Sequence, residues 1–208
     1  MRVAEQRLEL GFLASHGGTN MQAIIDACKE GRLRAEPRVV ISNNSGSGAL
    51  ERAGREGIPA HHLSNRTHPD PGELDKAILA TLQQHQVELV CLAGYMKRLG
   101  PATLSAYRGR ILNIHPALLP KYGGRGFYGD AVHKAVLAAG EKESGASVHL
   151  VDEEYDHGPI LAQRRVEVRP DDTPDTLAAR VLEQEHVLYA ETLQQIATGQ
   201  IQLQDFSI

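Results

Sequence analysis

Five short apolar runs, separated by turns and helix-patterned stretches, constrain this chain most. LELGFLAS (8–15), RVVISN (38–43), the stretch from Pro59 to Leu63, VELVCLAG (87–94) and RILNIH (110–115) all have strand length and strand content. Between them the spacing predicts helices from Met21 to Glu30, from Ala49 to Glu56 and from Glu73 to Gln86, with a polar loop at 65–72. Strands that alternate with helices pair in parallel, because each helix carries the chain back across the sheet. VELVCLAG is the most apolar run and reads as a central strand. The fold class is therefore α/β.

The last third changes character. A Gly-rich loop and a helix from Ala131 to Ala139 lead into SGASVHLVD (144–152) and PILAQRRVEVR (159–169). These two runs alternate, as an antiparallel hairpin does. Thr173 then stands as an N-cap with Pro174 at the first helical position, and the helix runs to about Thr198 before Gly199. The 208 residues suit one domain with a core that needs no disulfide. Cys28 and Cys91 lie in separate apolar segments, as buried thiols of a reducing compartment do. A net charge of -4 without a basic stripe speaks against nucleic acid. The opening residues MRVAEQRLEL lack a leader's apolar core, and no run is long enough to span a bilayer. The expectation is a cytoplasmic protein that does not engage membranes.

After the first strand comes SHGGTNMQAII (15–25). Two glycines turn the chain, and a helix starts at Thr19 or Asn20. Unpaired backbone N–H groups and a positive dipole end meet there, and Gly17 and Gly18 permit close approach of an anion. The pattern matches neither the dinucleotide fingerprint nor the P-loop, so a compact monophosphate fits better than a pyrophosphate. No Lys or Arg stands in the loop, which leaves the backbone and His16 to meet the charge. The same residues also suffice for a plain tight turn with a cap.

Asn113 and His115 alternate with Ile114 at strand period, so both point to the face opposite Ile114. They lie at the carboxyl end of a strand, where open α/β sheets hold their ligands. An amide and an imidazole there resemble donors for a developing oxyanion, and a nearby carboxylate would hold the imidazole protonated. Asp156, in the acidic turn 152–156 before Gly158, is the candidate carboxylate. Ser147 and His149 alternate on the preceding run as supporting residues. No metal-ligand spacing links these groups. His61, His62 and His68 read as surface. In the last helix Glu185 falls in the apolar stripe of Leu177, Val181, Leu188 and Ile196. A carboxylate there either snorkels outward or meets a polar ligand.

"NIHPALLPKY", with "LAGYM" upstream and "SVH" and "DHGPI" downstream, resembles the folate-dependent formyltransferases. "SHGGTNMQAIIDAC", "SNNSGSGALERA" and "EQEH" extend the resemblance over nearly the whole chain. It implies formyl transfer from 10-formyltetrahydrofolate, as co-substrate, to the amine of glycinamide ribonucleotide, without a metal. It implies Asn113, His115 and Asp156 as catalytic residues. Gly18, Thr19, Asn20 and Glu185 would hold the ribonucleotide. Met96, Lys97, Arg98, Leu99, Asn113, Asp152 and Asp156 would hold the folate, with Arg66 as the candidate for its tail. It also implies a Rossmann-like, mostly parallel twisted half over about 1–108. A smaller half over about 109–208, with the hairpin and the long helix, continues the sheet as one domain. Partners are then small molecules, and the protein a monomer or weak homodimer.

Two departures stand out. His16 replaces a glycine usual in the first loop, and GGRGFYGDAVH replaces a commoner short loop. Relatives with the same Asn-His-Asp set include methionyl-tRNA formyltransferases, with an added tRNA-binding domain, and formyltetrahydrofolate deformylases, with an added N-terminal domain. Sugar-nucleotide formyltransferases usually carry further modules. The expectation is a chain too short for the first and, with its first strand beginning by residue 8, without room for the second's added domain, while the third stays open. A phosphate-binding protein without catalysis would explain the glycine loop but not Asn113, His115 and Asp156 together.

Overall fold

The structure is a computed structural model and describes residues 7–206. The first six residues, on which the absence of a leader is argued, lie outside this range. A seven-stranded sheet in the order β3-β2-β1-β4-β5-β6-β7 forms the centre. β1 (Leu8–Leu13), β2 (Ala35–Ser42), β3 (Ala60–His62), β4 (Leu89–Leu92) and β5 (Ile111–His115) are parallel. β6 (Glu143–Leu150) pairs antiparallel with β5, and β7 (Ile160–Glu167) pairs antiparallel with β6. The chain winds outward from β1 to β3, then returns to lay β4 on the other side of β1. That reversal is the switch point at which such sheets open a crevice.

Period-2 alternation sends the strand residues into two cores. Phe12, Leu112 and Val148 face one core with α1 (Thr19–Lys29), α2 (Gly48–Glu56), α5 (Asp130–Ala138) and α6 (Pro174–Ala197). Leu13, Val90 and Ile111 face the other with α3 (Pro71–Gln84) and α4 (Pro101–Ala106). Buried Tyr189 of α6 donates its hydroxyl to the carbonyls of Leu92 and Leu112, at 3.2 and 3.1 Å, and so ties the long helix to β4 and β5. No helix among the described residues is long and apolar enough to cross a membrane.

The expected elements form, with shifted ends. α3 starts at Pro71, two residues early, because the Asp70 side chain accepts from Glu73 N. It stops at Gln84 because Gln86 takes a left-handed φ of 55°. α6 carries the expected Thr173 cap, with Thr176 closing a capping box. α4 is an element the sequence did not suggest. Its cap is Asp75 of α3, which accepts from Ala102 N at 2.7 Å, Thr103 N at 3.0 Å and Thr103 Oγ1 at 2.6 Å.

Candidate active site

Antiparallel pairing sets Asn113 opposite His149 and His115 opposite Ser147. Directly opposed residues share a face. Their neighbours Leu112, Ile114, Val148 and Leu150 enter one core, so these four polar residues form a patch on the other face. Ser147 fastens the loop beyond His115. Its hydroxyl donates to Ala117 O at 2.6 Å and accepts from Leu119 N at 3.1 Å and Gln163 Nε2 at 2.8 Å.

The turn between β6 and β7 brings Asp156 onto this patch. Its φ of 53° is a left-handed value that Asp and Asn tolerate better than other side chains. Gly158 lets the turn close, since a Cβ there would sit 2.0 Å from Leu150 O. Asp156 Oδ2 lies 3.0 Å from Gly124 N and 3.5 Å from His115 Nδ1. Asp156 Oδ1 lies 3.4 Å from both His149 Nε2 and Asn113 Nδ2. Burial raises the carboxyl pKa, but His149, His115 and Gly124 N–H outweigh it, so the net shift is down and Asp156 is ionised at neutral pH.

Two findings revise the expected protonation and donor pattern. The sequence reading has the carboxylate hold His115 cationic. Both ring nitrogens do face acceptors, with Nε2 2.7 Å from Tyr122 O. Burial nevertheless lowers the His115 pKa, against Asp156 and the Tyr122 carbonyl, which raise it. The ring is only 5% exposed, and the cost of burying its charge prevails, so the resting ring is neutral. The sequence reading also has Asn113 donate toward a ligand. His149 Nδ1 lies 2.8 Å from Leu150 O and so carries a hydrogen, and Asn113 Nδ2 lies 3.1 Å from His149 Nε2 and 3.4 Å from Asp156 Oδ1. With Nδ2 directed at His149 and Asp156, the Asn113 oxygen is the atom left for the cleft.

A cavity of about 500 Å³ opens over this patch, within the range of small-ligand sites. The loop after β4 contributes Met96, Lys97, Arg98 and Leu99, and the 152–156 turn forms another wall. Arg98 reaches that turn, donating to Glu153 O and lying over the Tyr155 ring. Asn20 and Glu185 line the same cavity. Asn20 Nδ2 donates to Glu185 Oε2 at 2.6 Å, and buried Asn20 Oδ1 has no partner among the described residues. Burial pushes the Glu185 pKa up to about 7, against the Asn20 hydrogen bond. Glu185 therefore faces the site and does not snorkel outward.

Gly18 caps α1 with φ 70°, and no side chain caps that end, so the first backbone N–H groups of α1 remain for a ligand. A cation missing from the loop sequence comes from α2: Arg52 Nε donates to Gly17 O at 2.8 Å. His16 is exposed. Arg66 lies on the exposed turn after β3 and is not among the cavity's lining residues. The variant loop supplies Gly124 N to Asp156 and lines the cavity through Tyr128. Sequence reasoning missed His133, whose ring also lines the cavity. Its only signal was its place at the end of that loop. Among the described residues no group of three His, Cys, Asp or Glu is disposed to hold a metal ion.

A family model described as formyl transferase matches residues 9–193. The phosphoribosylglycinamide formyltransferase of Escherichia coli is 39% identical over 95% of this chain and 91% of its own length. The chloroplastic phosphoribosylglycinamide formyltransferase of Vigna unguiculata is 40% identical over 96% of this chain, which spans 64% of that longer protein. Among solved structures, glycinamide ribonucleotide transformylase 1 of Symbiobacterium toebii superposes with a TM-score of 0.87 at 40% identity, covering 93% of this chain and 89% of that one. The phosphoribosylglycinamide formyltransferase of Brucella melitensis gives 0.86 at 41% identity, covering 95% and 99%.

Proposed function

The chain belongs to the formyl transferase family, and from that premise we propose that it moves a formyl group from 10-formyltetrahydrofolate to the amine of glycinamide ribonucleotide, a step of purine biosynthesis. The observation that carries this reading is one shared cavity. Asn113, His115 and Asp156 line it together with Asn20, Glu185 and the 96–99 loop. One cavity thus gathers the residues proposed for both reactants.

The ribose phosphate seats at the start of α1, with Gly18, Thr19 and Asn20 supplying backbone donors and Arg52 adding charge nearby. Glu185 meets the ribose hydroxyls. The folate enters between the 96–99 loop and the 152–156 turn. The amine attacks the formyl carbon, a C–N bond forms, and negative charge grows on the formyl oxygen. That charge favours the imidazolium form of His115, whose ring already faces a carboxylate and a carbonyl. The Asn113 oxygen accepts an N–H of the attacking amine and aims its lone pair. As the C–N10 bond breaks, one proton leaves the attacking nitrogen and one reaches N10, relayed by a water that Asp156 orients. The incoming amine is itself the nucleophile, so no attacking side chain is required. We place the reaction in the cytoplasm, where Cys28 and Cys91 persist as free thiols.

The test is a formyl-transfer assay on the purified protein with three acceptors: glycinamide ribonucleotide, water and methionyl-tRNA. Formylation of the ribonucleotide is expected. Turnover of the folate at the same rate without it would make the protein a deformylase.

A further inference from the structure

His133 is the fourth residue of α5, which packs against α6, and its ring lines the cavity. The residue is 4% exposed, and its Nδ1 has no hydrogen-bond partner among the described residues. A buried polar atom left unpaired costs the fold stability, so its retention calls for a use. His115 and Asp156, which line the same cavity, are engaged. His115 faces Tyr122 O and Asp156, and Asp156 already meets His115, His149, Asn113 and Gly124. Two charged or titratable groups bear on His133, Asp130 on its own helix and His115 on β5, while Glu185 of α6 lines the same cavity. Burial lowers the His133 pKa and His115 lowers it further, while Asp130 opposes both. The ring is therefore neutral at neutral pH and has a carboxylate beside it to steady a proton once gained.

The reaction needs such a base at its start. An α-amino group has a reference pKa of about 7.7–8.0, so most of the substrate arrives as an ammonium without a lone pair. Resting on the formyl-transfer reading, we propose that His133 is a catalytic base that takes this first proton. Nε2 of His133, the ring nitrogen that is not sealed off, accepts one proton from the bound ammonium, giving a neutral amine and an imidazolium. The amine then forms the new C–N bond, and His133 returns its proton to solvent before the next turnover. Nothing is oxidised or reduced, and the later proton transfer to N10 stays with Asp156.

The experiment compares His133→Gln with the unaltered protein, reading kcat/KM for glycinamide ribonucleotide across pH. At pH 7 the variant is expected to lose up to about tenfold, the factor by which ammonium outnumbers neutral amine there. The loss is expected to shrink toward parity above about pH 9, where the amine needs no help. No loss at pH 7, or an equal loss at every pH, overturns the proposal. Imidazole NMR of the unaltered protein gives a second readout that does not depend on a variant folding. The His133 ring should be neutral at pH 7, and its nitrogen resonances should shift when glycinamide ribonucleotide is added without folate, as a ring nitrogen accepts a hydrogen bond from the ammonium. A ring already cationic, or one the substrate leaves unchanged, also overturns it. An unaltered protein that fails to formylate the ribonucleotide would overturn the proposed function itself, and this inference with it.

Discussion

Asn113 and His149 stand directly opposite each other on β5 and β6, with the amide nitrogen 3.1 Å from the imidazole Nε2. The register does two jobs at once. It puts Leu112, Ile114, Val148 and Leu150 into the core, and it stacks Asn113, His115, Ser147 and His149 on the other face. A one-residue slip would exchange the two sets. The hydrophobic demand of the sheet thus fixes the geometry of the polar site, and the Leu150 carbonyl holds a hydrogen on His149 Nδ1.

Asp156→Asn tests the centre of that site. Asn tolerates the left-handed backbone at φ 53°, so the turn should keep its shape. The charge facing His115 disappears, and with it the pull toward imidazolium. We expect kcat to fall by about 10²–10³, the scale of a lost electrostatic partner, while ribonucleotide binding changes little. Steady-state kinetics with a separate calorimetric Kd checks it; an unchanged kcat refutes the role of Asp156.

Ser147→Ala tests how the loop beyond His115 is held. Ser147 is fully buried and serves Ala117 O and Leu119 N at once. Its removal leaves two buried backbone groups without their partner, at about 1–3 kcal/mol each. Urea denaturation should show a loss in that range or above. Gln163 Nε2 keeps its bond to Leu119 O, so the fold should survive with a lower Tm.

Much of this is legible in the residues alone. Strand positions follow from apolar runs, and the shared face of Asn113 and His115 follows from period 2. The stripe position of Glu185 follows from its phase against Val181 and Leu188, though phase alone leaves open whether the carboxylate turns outward or inward. What escapes is non-local. α4 is capped by Asp75, which stands on another helix, so no local cap marks its start. Arg52 reaches the glycine loop from α2, 35 positions away. His133 looks like any helix residue until α5 is laid against the cavity. The charge of His115 escapes as well. Its pairing with Asp156 is visible as chemistry, whereas the burial that outweighs it is a property of the assembled fold.

Gly18→Ala tests the anion end. The residue adopts φ 70°, and a Cβ there would lie 2.9 Å from the Ala49 Cα and Cβ. The left-handed backbone costs a side chain about 1–2 kcal/mol, and α2 would also have to move away. We expect a lower Tm, together with a rise in KM for the ribonucleotide of about tenfold, since the α1 amides no longer converge. A rise in folate KM of the same size would point to general disruption.

Glu185→Gln tests the buried carboxylate through pH. Its folded pKa is about 7, against an ordinary value of 4.5. Between these values the folded protein holds a proton that the unfolded chain has released. Stability from this group is therefore present below about pH 4.5 and is lost as pH rises toward 7, then stays low. The shift corresponds to something on the order of 3 kcal/mol. The substituted amide would keep an oxygen to accept from Asn20 Nδ2 and has no proton to lose. The variant should therefore lack this decline and exceed the unaltered protein in stability at about pH 8, while the two match near pH 4.5. Urea unfolding at both pH values reads the difference. Parallel behaviour of the two proteins would mean that Glu185 is ionised in the fold at neutral pH and that its contact with Asn20 is an ionic one.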